Sequence, residues 1–149
     1  MTESLTDTND PYKLERFVAA QAGVFEQALS EVRNGQKVSH WMWYIFPQLR
    51  GLGQSETALR YGILNLAEAR AYLEHPMLGP RLIAISQAAL SVNKKTATEI
   101  FGKPDDMKLR SCATLFAEVT DVDSVFQEIL DKYFGGNADP RTIQLLRDE

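Results

Sequence analysis

Apolar residues return at three- and four-residue steps along almost the whole chain, the spacing that gathers them on one face of a helix. No segment alternates with period two for long enough to build a strand, so the pattern dictates an all-α fold. Asp10-Pro11 sets an N-cap residue before a proline suited to the first helical position. Leu14, Phe17, Val18, Gln21, Phe25, Ala28, Leu29 and Val32 then keep helical phase up to the left-handed stop Asn34-Gly35, which predicts one helix of about six turns. The next element, from Ser39 or His40 to about Ile45, must be short, because Pro47 disfavours helical geometry at Phe46.

Further punctuation divides the remainder. Ser55 can cap a brief helix through Tyr61, and Asn65 with Glu68 has capping-box spacing for a helix reaching Glu74. His75-Pro76 restarts the chain into a run marked by Leu78, Leu82, Ile85, Ala89 and Val92. Thr96 with Glu99 forms a second capping box before a single turn that Gly102 ends, and Pro104, Asp105 and Asp106 open the next helix. Asp121 or Asp123 is the expected cap for the stripe Val125, Phe126, Ile129, Leu130 and Tyr133, which Gly135-Gly136 stops; Asp139-Pro140 opens a last short helix. Residues 109–119 are apolar on nearly every side, as a central buried helix would be. The expected architecture is therefore a single-domain array of about seven or eight helices around one buried central helix, spanning residues 1–149 with residues 1–10 as a polar N-terminal tail.

A chain of 149 residues with 44% hydrophobic and 24% charged residues can bury a full core unaided. Its formal net charge of -4 weighs against nucleic acid or an anionic membrane as partner, since both are held by clustered Lys and Arg. Arg16, Arg50, Arg60, Arg70, Arg81, Lys94 and Lys95 are scattered, with no dense run interleaved with aromatics. A lone Cys112 forms no internal disulfide and, inside the apolar run, reads as a buried, inert thiol. The polar, acidic start does not resemble a secretory leader and no long apolar span occurs, so a cytoplasmic location without membrane contact is expected. His40 and His75 are too isolated to suggest a metal site, and no cofactor is called for.

Four stretches are more particular. Residues 10–17 (DPYKLERF), 39–49 (SHWMWYIFPQL), 75–82 (HPMLGPRL) and 101–111 (FGKPDDMKLRS) together resemble a family of small, mostly bacterial proteins catalogued as a domain of unknown function. The resemblance covers nearly the whole chain and implies a multihelical fold, but no activity and no catalytic residue. Members of that family often carry the label calpastatin, the name of a disordered protease inhibitor; a chain with helical periodicity almost throughout does not fit it.

Residues 39–53 concentrate both tryptophans, one histidine and a proline stop, which marks the expected functional surface. With Ser39 as cap, His40 and Trp43 would share one helical face while Trp41 and Ile45 share another. Trp41 and Trp43 are candidate walls for a planar or cationic ligand, with Trp41 equally readable as a core anchor; His40 is a proton donor or hydrogen-bond partner, and Gln48 a polar contact. Lys108, Arg110 and Ser111 enter from the polar start of the central helix, where free N–H groups near Pro104 to Met107 could help hold phosphate or carboxylate. Against that, Asp105 and Asp106 compete for the same positive potential, and Asp106 could simply pair with Arg110 one turn on. The two acids point about 100° apart on a helix and do not make an acid–base pair. Gly51 to Ser55 lacks the preceding strand and Lys-Ser/Thr ending of a phosphate loop.

The expectation is a small-molecule-binding helical domain whose site comprises His40, Trp41, Trp43, Gln48, Lys108, Arg110 and Ser111. Two alternatives stand beside it. One is an enzyme acting on a nucleotide-like metabolite, with His40 as acid or base; the other is an interaction module built on exposed tryptophans.

Overall fold

The structure, a computed structural model, describes residues 10–148. Within them the chain is all-helical and forms a single domain of ten helices. These are α1 Glu15–Gln21, α2 Phe25–Arg33, α3 Met42–Ile45, α4 Glu56–Arg60, α5 Leu66–Glu74, α6 Leu78–Ser91, α7 Ala97–Phe101, α8 Asp105–Ala117, α9 Val125–Phe134 and α10 Pro140–Arg147. One isolated parallel bridge, Leu49 to Ile63, is formed outside the helices. The expected polar tail lies, apart from Asp10, outside the described residues.

The expected six-turn first helix is instead two. Ala22 leaves helical geometry at ψ 122° and Gly23 takes φ +74°, a left-handed conformation that costs glycine little, so α1 and α2 meet at a bend. Both keep one face inward, with the apolar Phe17, Phe25, Ala28, Leu29 and Val32 and the polar Gln21 all buried, which is why helical phase runs unbroken across the bend. Asp10 still caps, although the helix begins later than expected: its carboxylate accepts the Leu14 N–H at 2.7 Å and the Glu15 N–H at 3.0 Å.

Most other punctuation acts as its chemistry predicts. Ser55 accepts the Ala58 N–H, Thr96 and Glu99 form a reciprocal capping box, and Asp139 accepts the Thr142 N–H. Asn65 accepts the Glu68 N–H, but the Glu68 carboxylate accepts from Leu64 and Arg16, so that box is half formed. Ser124, not Asp121 or Asp123, caps α9. A hydroxyl directly before the first helical residue needs no detour to reach the third free N–H.

Helix α8 is the centre, packing against α5, α7, α9 and α10. Leu109, Ser111, Cys112, Ala113, Thr114, Leu115 and Phe116 are all buried along it. A chain of aromatic contacts crosses the core from α1 to α9: Phe17 to Tyr72 at 5.1 Å, Tyr72 to Phe116 at 5.5 Å and Phe116 to Phe126 at 5.5 Å between ring centres. Burial pushes the Cys112 thiol well above its ordinary range, which keeps it protonated and unreactive.

Candidate functional site

Between α2 and α3 the chain has few apolar residues, so side chains must fix its path. Glu31 does this. Its Oε1 accepts the backbone N–H of Val38 at 2.8 Å, that of Ser39 at 3.0 Å and the indole N–H of Trp41 at 2.9 Å, while Oε2 accepts the Ser39 hydroxyl at 2.8 Å. Burial opposes ionisation here, but donors from Ser39, Val38 and Trp41 outweigh it and hold the Glu31 carboxyl down at about 2. Ser39 therefore serves Glu31 rather than capping α3, which begins at Met42 after Trp41.

This anchoring separates the two tryptophans. Trp41 is fully buried against Phe46, its one polar atom satisfied by Glu31, and so belongs to the core rather than to a pocket wall. Trp43 is half-buried and lines an open cleft of about 400 Å³ together with Lys37, His40, Phe101, Lys103, Asp105 and Lys108. Asp105 spans two of these cations: its Oδ2 lies 2.9 Å from Lys37 Nζ and its Oδ1 3.3 Å from Lys108 Nζ. The Lys108 ammonium also sits 4.7 Å from the Trp43 ring centre, and that of Lys37 sits 4.9 Å from the Trp41 ring centre. Three lysines against one aspartate leave this cleft positive within an acidic protein.

His40, Trp43 and Lys108 thus come together as the sequence suggests, joined by Lys37 and Lys103, which sequence reasoning missed. The other named residues go elsewhere. Gln48 is absent from that cleft and lines a separate gap of about 10 Å³ with Trp43, Tyr61 and Gly62. Arg110 donates to the Asn137 carbonyl at 3.0 Å and the Ala138 carbonyl at 2.9 Å, tying the turn between α9 and α10 to α8. Ser111 is buried, its hydroxyl 3.1 Å from the Met107 carbonyl and 3.3 Å from the Asp139 carboxylate.

Asp106 does not pair with Arg110. It turns inward, accepting the Thr98 hydroxyl at 2.6 Å and the Met107 N–H at 2.8 Å. Of the N–H groups expected to be free at the start of α8, Asp106 N is taken by the Gly102 carbonyl and Met107 N by that of Pro104. The positive charge of the cleft is carried by the side chains of Lys37, Lys103 and Lys108.

Two larger hollows contrast with it. One of about 530 Å³ is lined by Asp10, Glu15, Glu74 and His75 among others, and one of about 600 Å³ includes Asp121 and Asp123; neither has a Lys or Arg in its walls. Among the described residues no group of three or more His, Cys, Asp and Glu side chains is placed to hold a metal ion, and no helix is long and apolar enough to cross a membrane.

These features define a class: a single, all-helical domain with a lysine-lined cleft beside its central helix. Over residues 11–146 the chain matches the family described as "Protein of unknown function (DUF1810)", and it belongs to that family. It is similar to a solved structure, the conserved hypothetical protein Rv1873 from Mycobacterium tuberculosis, with 52% sequence identity and a TM-score of 0.91 over 93% of this chain and 99% of that one. No curated protein matches.

Proposed function

We propose that this protein is a cytoplasmic binding domain for a small anionic ligand, held in the cleft of Lys37, His40, Trp43, Lys103, Asp105 and Lys108. The observation that carries this reading is Asp105 between two lysines, with Lys108 lying over the Trp43 ring. An internal carboxylate that neutralises only part of a cationic cleft acts as a stand-in for the ligand: an incoming carboxylate or phosphate shares or replaces its hold on Lys108. Trp43 and Phe101 supply an apolar wall for the remainder of such a molecule. The cleft volume of about 400 Å³ suits a metabolite rather than a polymer.

A thermal-shift screen with carboxylated metabolites that carry no phosphate tests the reading. A compound that stabilises the native protein is expected to lose its effect with His40→Ala and with Lys108→Gln, and to keep it with Arg110→Ala, whose side chain lies outside the cleft. Stabilisation that survives both cleft substitutions would overturn the assignment, as would a screen without a hit.

A further inference from the structure

Folding collects a second set of cations that the linear sequence disperses. Lys13, Arg16, Arg50 and Arg60 line one cleft of about 300 Å³ with Tyr12, Leu59, Leu64 and Glu68. Arg16 is not available to a ligand. Its guanidinium donates to the backbone carbonyls of Tyr12, Lys13, Arg60 and Gly62 and to Glu68 Oε2 at 2.8 Å. The other Glu68 oxygen accepts the Leu64 N–H at 2.9 Å, and Glu68 is only 2% exposed.

The electrostatic consequence is unusual for a surface hollow. One buried-side guanidinium has consumed four carbonyl dipoles and the carboxylate that would otherwise repel an anion. Lys13, Arg50 and Arg60 remain, all exposed, and none forms an ion pair among the described residues. Arg60 lies over the Tyr61 ring at 5.6 Å, which steadies its planar fork. Arg50 is fixed through its backbone: its N–H donates to the Ile63 carbonyl at 2.8 Å, and the neighbouring Gly62 permits this approach, since a Cβ there would meet the Arg50 Cβ at 2.7 Å. Lys13 holds φ 55°, unfavourable for a residue with a side chain, in a turn whose carbonyl is taken by Arg16.

We propose that Lys13, Arg50 and Arg60 form a separate binding site for a compact oxyanion carrying two or more negative charges, of the phosphate-ester or pyrophosphate class, on a free small molecule. Two arginine forks and one ammonium match such a group in charge and geometry. The size of the cleft and the overall charge of -4 disfavour a nucleic-acid strand.

The test is calorimetric titration of the full chain with inorganic pyrophosphate at low ionic strength, alongside orthophosphate, citrate and a single-stranded oligonucleotide. Pyrophosphate is expected to bind most tightly and to weaken as salt rises. Affinity should fall at least tenfold in the Arg50→Gln/Arg60→Gln double variant and stay within twofold in Lys94→Gln, an exposed position that lines neither cleft; circular dichroism and melting temperature establish that both variants are folded. The proposal is overturned by absence of pyrophosphate binding, by unchanged affinity in the double variant, by an equal loss in Lys94→Gln, or by a citrate or oligonucleotide affinity that exceeds that of pyrophosphate and falls in the same double variant.

Discussion

The Trp41 indole N–H donates to Glu31 Oε1 at 2.9 Å, and the same oxygen holds the backbone N–H groups of Val38 and Ser39. One carboxylate therefore orders both the connection into α3 and the core tryptophan beside it. Replacing Glu31 by Gln keeps the shape but removes the charge and turns one acceptor into a donor facing donors. A loss of about 1.5–3 kcal/mol is expected, the usual range for hydrogen bonds to a charged group, measured by urea denaturation near neutral pH.

The same carboxylate gives an acid signature. Its pKa lies at about 2 in the folded state against an ordinary 4.5, so the unfolded chain binds the extra proton. The contribution is complete above about 4.5, declines as pH falls and is gone below about 2. Denaturation midpoints compared between pH 2 and 6 should show a steeper acid decline in the native protein than in Glu31→Gln; identical slopes would refute the assignment.

Separate environments for the two indoles predict distinct fluorescence. The variant Trp41→Phe, which retains Trp43, should be quenched readily by acrylamide, whereas Trp43→Phe, which retains Trp41, should resist quenching. The stability order runs the other way. Trp41→Ala should cost about 3–5 kcal/mol, the usual result for emptying a buried aromatic site, and Trp43→Ala distinctly less.

Arg110→Ala removes two charge-assisted bonds to the carbonyls of Asn137 and Ala138. A destabilisation of about 1.5–3 kcal/mol is expected by thermal or urea unfolding, with ligand binding in the lysine cleft retained.

Cys112 is buried and its thiol is held protonated, so labelling by a thiol reagent should wait on unfolding. Adding denaturant should accelerate the reaction in step with loss of helical circular dichroism. Rapid labelling of the native protein would contradict the packing.

Local chemistry carried the readable part of this fold. Thr96 with Glu99, Ser55 and Asp139-Pro140 act on N–H groups within three residues, so their roles follow from spacing alone. The bend at Gly23 was hidden because the buried stripe stays in phase on both sides of it. The candidate site was legible only in part. His40 and Trp43 are near neighbours in sequence, but Lys108 could not be told from Arg110 by pattern, since two residues apart on α8 face different partners. The gathering of Lys13, Arg50 and Arg60 depends on how Arg16 draws residues 60–62 toward α1, a contact across more than forty positions.

Gln21 shows what aims the lysine-lined cleft. Its amide donates to the Tyr44 carbonyl at 2.8 Å and the Tyr72 hydroxyl at 3.1 Å, and its oxygen accepts from Arg81 at 3.2 Å. Helix α3, a single turn with little stability of its own, is thereby held in rotation by α1, α5 and α6. Residues 39–48 grafted onto another scaffold would carry the side chains but not their bearing; recognition here is a property of the whole frame, portable only with it.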